Sequence, residues 1–230
     1  MDQLALWRGR KPLVGVIHLL PLPGSPAWAG EMEPVLSRAA EEAAALEGGG
    51  LDGILVENFG DSPFYPDSVP PETVAAMTLA VAAVRRTVEI PVGVNLLRND
   101  ADSSLSVATV TGASFIRVNV HTGCMFTDQG LLQGRAHETL RKRRTLDTQV
   151  AILADVLVKH ATPPPGTVLE TAARDTWHRG KADGLILTGT ETGARVETLE
   201  VVRVKEALAP AGRVWVGSGV TPDTVEELLR

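Results

Sequence analysis

Side chains that carry chemistry recur at one kind of place in this sequence, at or just past the end of short runs of Val, Ile and Leu. His18 closes the run 13–18. Glu57 closes 51–57 and is followed by Asn58 and Asp61. Asn95 lies in 91–97, ahead of Arg98, Asn99 and Asp100, and Arg117 and Asn119 interrupt 115–120, ahead of His121. Asp155 ends 150–155, with Lys159 and His160 beyond it, and Thr188 ends 184–188. Two carboxyl groups from different runs can divide acid and base work when their surroundings separate their pKa values. Glu57 and Asp155 are therefore the expected proton carriers. His18 assists, because an imidazole titrates near neutrality. Arg98 and Arg117 offer forked donors for anionic groups. Asn95 and Asn119 would orient hydroxyls, and Lys159 and Thr188 complete the expected substrate-binding set. His121 and His160 carry a weaker signal, while His137 and His178 fall on helical patterns and read as surface residues.

A divalent cation shared by Glu57 and Asp155 with His18 or His160 is a second option. Its ligands would come from separate runs, with no close-spaced HxH or HExxH, so the metal signal is weak and no cofactor is named. A plainer reading also stands, in which these groups only satisfy one another. A charge inside an apolar run is costly unless paired, and Arg117 has Glu57 or Asp155 as its expected partner. The concentration of polar groups at run ends favours a site over mere neutralisation.

Two glycine-rich stretches come late, 188–193 and 217–221. Small residues let backbone N–H groups approach an anion, so Gly217, Ser218 and Gly219 are the expected phosphate-binding residues. A plain tight turn is the alternative, and Glu191 weakens the first stretch as an anion site.

The elements that must position these groups follow one grammar. Each apolar run is followed by a loop and an amphipathic helical pattern, near 33–46, 72–87, 102–111, around the basic run 141–144, 168–179, 196–208 and from 222 onward. Gly48 to Gly50 and Gly112 stop two of the helices, while Pro71 and Pro222 sit in first turns. Strict alternation implies parallel strands joined by right-handed crossovers. The expectation is an α/β fold of the (β/α)8 TIM-barrel type, a single domain over 1–230. No GxGxxG follows the first run, which disfavours a doubly wound dinucleotide-binding sheet. Only seven units are visible where a closed barrel has eight. The eighth is expected past Arg230, or a partner chain covers the gap; a second copy doing so would make a homo-oligomer.

At 230 residues, with 44% hydrophobic residues, the chain can bury a sizeable core. A net charge of −6 gives no general attraction to nucleic acid or anionic lipid. The basic run 141–144 is the exception and reads as a solvated helix end. One cysteine, Cys124, allows no intramolecular disulfide and suits a reducing compartment. The first ten residues lack the apolar segment of a secretory signal, and no run is long enough to span a membrane. A cytoplasmic protein, peripheral to a membrane at most, is expected.

Several segments together carry a specific resemblance: His18-Leu-Leu-Pro-Leu-Pro-Gly-Ser25, Val56-Glu-Asn-Phe-Gly-Asp61, Val94-Asn-Leu-Leu-Arg-Asn-Asp100, Phe115-Ile-Arg-Val-Asn119, Thr127-Asp-Gln-Gly130, Ala154-Asp-Val-Leu-Val-Lys-His160 and Gly217-Ser-Gly219. In these the chain resembles the BtpA family, which also contains the SgcQ-type proteins. The resemblance spans nearly the whole chain and implies a TIM barrel. It also implies a link to biogenesis of photosystem I and other membrane complexes, and to barrel enzymes or nucleosidases among related members. It carries no residue-by-residue catalytic assignment. Two functions are therefore expected alternatives. One is an enzyme on a small phosphorylated sugar- or nucleoside-like substrate, with hydrolysis, lyase chemistry and isomerisation all open. The other is an assembly factor whose partner is a membrane protein complex.

Overall fold

A computed structural model describes Leu4, Trp7 and residues 9–228, and in it short parallel strands alternate with helices. The chain divides into two compact units. One comprises Trp7–Arg117 with Glu138–Val150, and the other Met1–Leu6, Val118–His137 and Ala151–Arg230.

The first unit contains β1 (Val14–His18), α1 (Glu33–Gly48), β2 (Gly53–Glu57), α2 (Pro71–Thr87), β3 (Val92–Asn95), α3 (Ala101–Thr111), β4 (Phe115–Val118) and α4 (Ala136–Thr145), the last two running up to its boundary. Its strands lie in chain order, β1-β2-β3-β4, and every pair is parallel. The helices follow from apolar spacing. α2 buries Thr73, Ala76, Met77, Ala80, Val81 and Val84, a repeat of three and four that makes one face. That helix packs between α1 and α3. The expected punctuation is present: Pro71 opens α2, and Gly112 caps α3 in the left-handed region at φ 72°. Gly48 is still helical, and Gly50, at φ 85°, makes the turn.

The strands of this unit differ in character at their two ends. At the N-terminal end Trp7 meets Phe115 edge-on, with ring centroids 5.4 Å apart, and its Nε1 donates to the Asp52 carbonyl. Gly93 is needed there, because a Cβ would lie 2.1 Å from the Phe115 ring. At the C-terminal end the register pairs His18 with Glu57 and Glu57 with Asn95, three polar residues in one row.

The second unit contains β5 (Cys124–Thr127), β6 (Gly130–Gln133), β7 (Ala151–Val156), β8 (Ala161–Thr162), α5 (Leu169–Arg174), β9 (Gly184–Leu187), α6 (Thr198–Leu208), β10 (Val214–Val216) and α7 (Pro222–Leu228). β7, β9 and β10 are parallel neighbours in that order. Ala154, Val156, Leu185, Leu187, Val204 and Leu208 are buried together between them and the helices.

Two local departures from strict alternation occur here. The loop expected after the fourth run holds an antiparallel hairpin, β5-β6, and β8, which follows β7, extends it into a small sheet ordered β6-β5-β8. Its turn is built by Thr127, whose hydroxyl donates to the Gly130 carbonyl and accepts from the Gln129 N–H, with Gly130 at φ 99°. Met125 and Leu132 bury one face with Val120 and Val158, while Phe126 and Leu131 stay exposed. The helix expected over 168–179 is α-helical only to Arg174 and continues as a π turn over Asp175–Arg179. Among the described residues no helix is long and apolar enough to cross a membrane.

Candidate functional site

The polar row of the first unit is a connected network centred on Glu57. Its Oε1 accepts from Asn95 Nδ2 at 2.7 Å and from Arg117 Nη1 at 3.2 Å. Its Oε2 lies 3.6 Å from His18 Nε2. Arg117 reaches this place because it lies one step past the Val94–Ile116 pairing of β3 and β4, beside Asn95. Glu57, Asn95 and Arg117 are buried, whereas the His18 side chain is 45% exposed. The His18 ring stacks on Phe59 with centroids 4.3 Å apart.

The electrostatics of this row are decided by competition. Burial alone raises the pKa of Glu57, but the nearby His18, the positive charge of Arg117 and the amide of Asn95 outweigh it and hold the carboxyl at about 2. Glu57 is thus an anion throughout the neutral range.

A second set of side chains fixes the loops around this row. Asn58 Oδ1 accepts the Leu97 N–H and its Nδ2 donates to Asp61 Oδ2, while Asp61 Oδ1 accepts the Leu22 N–H. Asp100 caps α3 through the Ser103 N–H and also accepts the Val69 N–H. Arg98 is buried, and its backbone N–H donates to the Tyr65 carbonyl. These loops enclose a cavity of about 240 Å³. Its buried lining includes Asn58, Asp61, Val69, Thr73 and Leu97, while Phe64 and Tyr65 stand nearer solvent. Burial raises the pKa of Asp61, partly offset by the Leu22 N–H and the Asn58 amide.

In the second unit Asn119 Nδ2 donates to Asp155 Oδ2 at 2.6 Å, and both residues are buried. Asn119 Oδ1 is buried and accepts from no donor among the described residues. Lys159 meets Thr188 through its backbone, N–H to Oγ1 at 3.1 Å. His160 Nε2 accepts the Thr192 N–H at 3.2 Å, and His121 Nε2 lies 2.9 Å from the Gly180 carbonyl. The loop after β10 turns to its own neighbours. The Ser218 hydroxyl faces the carbonyls of Glu191 and Ala194 at 3.3 and 3.5 Å, and a Cβ on Gly219 would sit 2.5 Å from the Ala194 carbonyl oxygen. Nothing lies within 4 Å of a Cβ placed on Gly217. His137 and His178 are exposed on helical segments. In the basic run, Lys142 pairs with Asp102 at 3.0 Å. Among the described residues no three His, Cys, Asp or Glu side chains are grouped to hold a metal ion.

Of the residues that the strand-end pattern singles out, the structure brings His18, Glu57, Asn95 and Arg117 together in one network and Asn119 to Asp155 in another. The same pattern does not single out Ser25, Phe64, Tyr65 or Thr73, which line the cavity. The signal for Ser25, Phe64 and Tyr65 is indirect: Ser25 ends one of the segments that carry the family resemblance, and Phe64 and Tyr65 follow shortly after another.

Comparison with solved structures shows the fold. The chain matches PhdJ bound to a substrate intermediate with a TM-score of 0.57 at 17% identity, over 89% of this chain and 59% of that one. It matches the 2-keto 3-deoxygluconate aldolase from Picrophilus torridus with a TM-score of 0.55 at 8% identity, over 90% and 67%. A third match, phosphoribosyl anthranilate isomerase from Thermococcus kodakaraensis, has a TM-score of 0.51 at 15% identity, over 96% and 84%. These likenesses place the chain in the TIM-barrel class, with seven parallel strands alternating with helices.

At the level of sequence, the chain is 50% identical to the photosystem I biogenesis protein BtpA of Synechocystis, over 100% of this chain and 80% of that protein. It is 31% identical to the sgc region protein SgcQ of Escherichia coli, over 95% and 81%. The model of the BtpA family matches residues 9–230. The chain belongs to the BtpA family.

Proposed function

We propose that this protein is an enzyme that moves a proton on a small sugar- or nucleoside-like substrate, phosphorylated forms included. His18 is the carrier and Glu57 the group that orients it. The observation that supports this reading is the buried, ionised Glu57 at the end of β2, shared by His18, Asn95 and Arg117. A carboxyl held at about 2 has no proton to donate near neutrality and is a weak base. Its contribution is to turn Nε2 of His18 toward itself and to stabilise the imidazolium when His18 takes a proton. That leaves Nδ1 for exchange with substrate. Arg117 and Asn95 keep Glu57 in place, and Phe59 holds the plane of the ring. The position at strand C-termini is where barrel enzymes gather their functional groups. A screen of sugars, nucleosides and their phosphates for turnover is the test. His18→Asn should lower kcat about 100-fold or more. Asp155→Asn reads whether the second buried carboxyl also carries protons. Unchanged turnover in His18→Asn would remove the reading.

A second reading is favoured by the 50% identity to a protein named for photosystem I biogenesis. In it the chain is a cytoplasmic assembly factor, peripheral to the membrane, whose partner is a membrane protein complex. Affinity capture from native lysate separates the two. A membrane-complex partner retained by His18→Asn and by Arg117→Met, with no turnover on any screened compound, favours the assembly factor.

A further inference from the structure

The cavity beside the Glu57 row is built from groups that the proposed proton transfer does not use. Its lining contains no Lys, Arg or His, so no side chain in it offers a positive charge to a phosphate or a carboxylate. It contains instead one buried carboxyl, Asp61, and, besides the hydroxyls of Thr73 and Tyr65, the hydroxyl Ser25 Oγ, which is buried and has no hydrogen-bond partner among the described residues. A buried hydroxyl left unmatched is unfavourable unless something else meets it. Each Asp61 oxygen already accepts one N–H, from Leu22 or from Asn58, at 2.7 and 2.9 Å. Each therefore keeps a second lone pair, and in the ionised carboxyl both accept rather than donate. Val69 and Leu97 supply apolar wall, and Phe64 and Tyr65 supply ring faces toward solvent. At about 240 Å³ the space suits a single ring rather than a dinucleotide.

We infer that this cavity is a subsite for the uncharged, hydroxyl-bearing ring of a sugar, with vicinal hydroxyls donating to Asp61, another meeting Ser25 Oγ, and the ring's C–H face lying against Phe64 or Tyr65. The inference rests on the reading of a sugar- or nucleoside-like substrate and names the part of it held here. Continuity with the proposed chemistry comes through Phe59, whose ring stacks on His18 and lies 6.1 Å, centroid to centroid, from Phe64. Asn58 is a wall of the cavity and follows Glu57 directly in the chain. Its amide is committed on both sides, to Leu97 and to Asp61, so it shapes the subsite instead of reading the ligand. Gly24 belongs to the same lining at φ 92°, and a Cβ there would press on the Glu72 side chain at 3.2 Å, which keeps this rim to glycine.

Ligand-observed NMR on the full chain provides the test, with D-ribose, D-xylose, D-glucose and adenine as probes. At least one of the three sugars should bind saturably, and adenine should not compete with it. Ser25→Ala should weaken that binding about fivefold and leave the melting temperature unchanged, because the hydroxyl has no partner within the protein. Asp61→Asn should weaken it about tenfold or more; Ser25→Ala still decides if Asp61→Asn does not fold. His18→Asn should keep the sugar affinity, since His18 does not line the cavity. Binding of a sugar with no turnover of any screened compound would count against the proton-transfer reading while leaving the subsite in place. No saturable sugar binding, binding of adenine alone, or sugar binding unchanged in Ser25→Ala would each overturn the subsite.

Discussion

Arg117 Nη1 lies 3.2 Å from Glu57 Oε1, a buried ion pair joining two strands across 60 residues of sequence. Two opposite charges placed out of water at the end of an apolar sheet each depend on the other. Removing one leaves the other buried without this partner; removing both does not.

That dependence predicts a non-additive mutant cycle. Glu57→Gln and Arg117→Met should each destabilise the fold by about 3 kcal/mol, and Glu57→Gln/Arg117→Met by less than the sum of the two. Urea unfolding followed by circular dichroism measures it. Additive losses would mean the pair is not energetically coupled.

The pKa of Glu57 gives a second expectation, with a definite sign. The folded value is lowered from 4.5 to about 2, so the unfolded chain binds the proton more readily. The contribution to stability is fully present above pH 4.5 and is lost as pH falls toward 2. Its size is about 3 kcal/mol. Asp61 acts in the opposite sense: its raised folded pKa makes the fold gain relative stability as that group protonates. The Glu57 contribution is isolated by comparing the wild type with Glu57→Gln in urea titrations between about pH 5 and pH 2.5. The gap between them should narrow with acid. A constant gap would contradict the assignment of this acid sensitivity to Glu57.

Asp100 joins two loops, accepting the Ser103 N–H to cap α3 and the Val69 N–H from the loop before α2, both at 2.9 Å. Asp100→Ala should cost about 2 kcal/mol, more than the loss of a helix cap alone. It should also raise amide exchange at Val69, which lines the cavity. Hydrogen exchange by mass spectrometry on the 66–70 segment reads the second effect. An unchanged exchange rate there would mean that the Val69 bond is not holding the loop.

These relationships are legible in the sequence to unequal degrees. The alternation of apolar runs with amphipathic helices follows from local periodicity, so the parallel strands and the glycine and proline stops can be placed from residue types and spacing alone. Polar run ends are visible as residue types, so His18, Glu57, Asn95 and Arg117 can be named from the sequence among a longer set, while their convergence on Glu57 depends on strand register. The antiparallel β5-β6 hairpin is not legible, because its strands have only four residues each and the apolar positions Met125 and Leu132 read as loop. The cavity is hidden for another reason. Ser25, Phe64 and Tyr65 come from irregular loops with no period, and Ser25 matters because its hydroxyl is buried without a partner, a property of packing alone. Lys159 and Thr188 do meet, but through the Lys159 backbone N–H, and no residue-type argument predicts that.

Proton transfer by His18, oriented by an anionic Glu57, is the proposed chemistry. It is tested most directly by turnover of His18→Asn on a substrate found by screening, with and without added imidazole. The His18 side chain is 45% exposed, so the space it vacates is open to a small base. A loss in kcat of about 100-fold or more is expected, partly restored by imidazole, with KM little changed. Wild-type turnover in His18→Asn would contradict it.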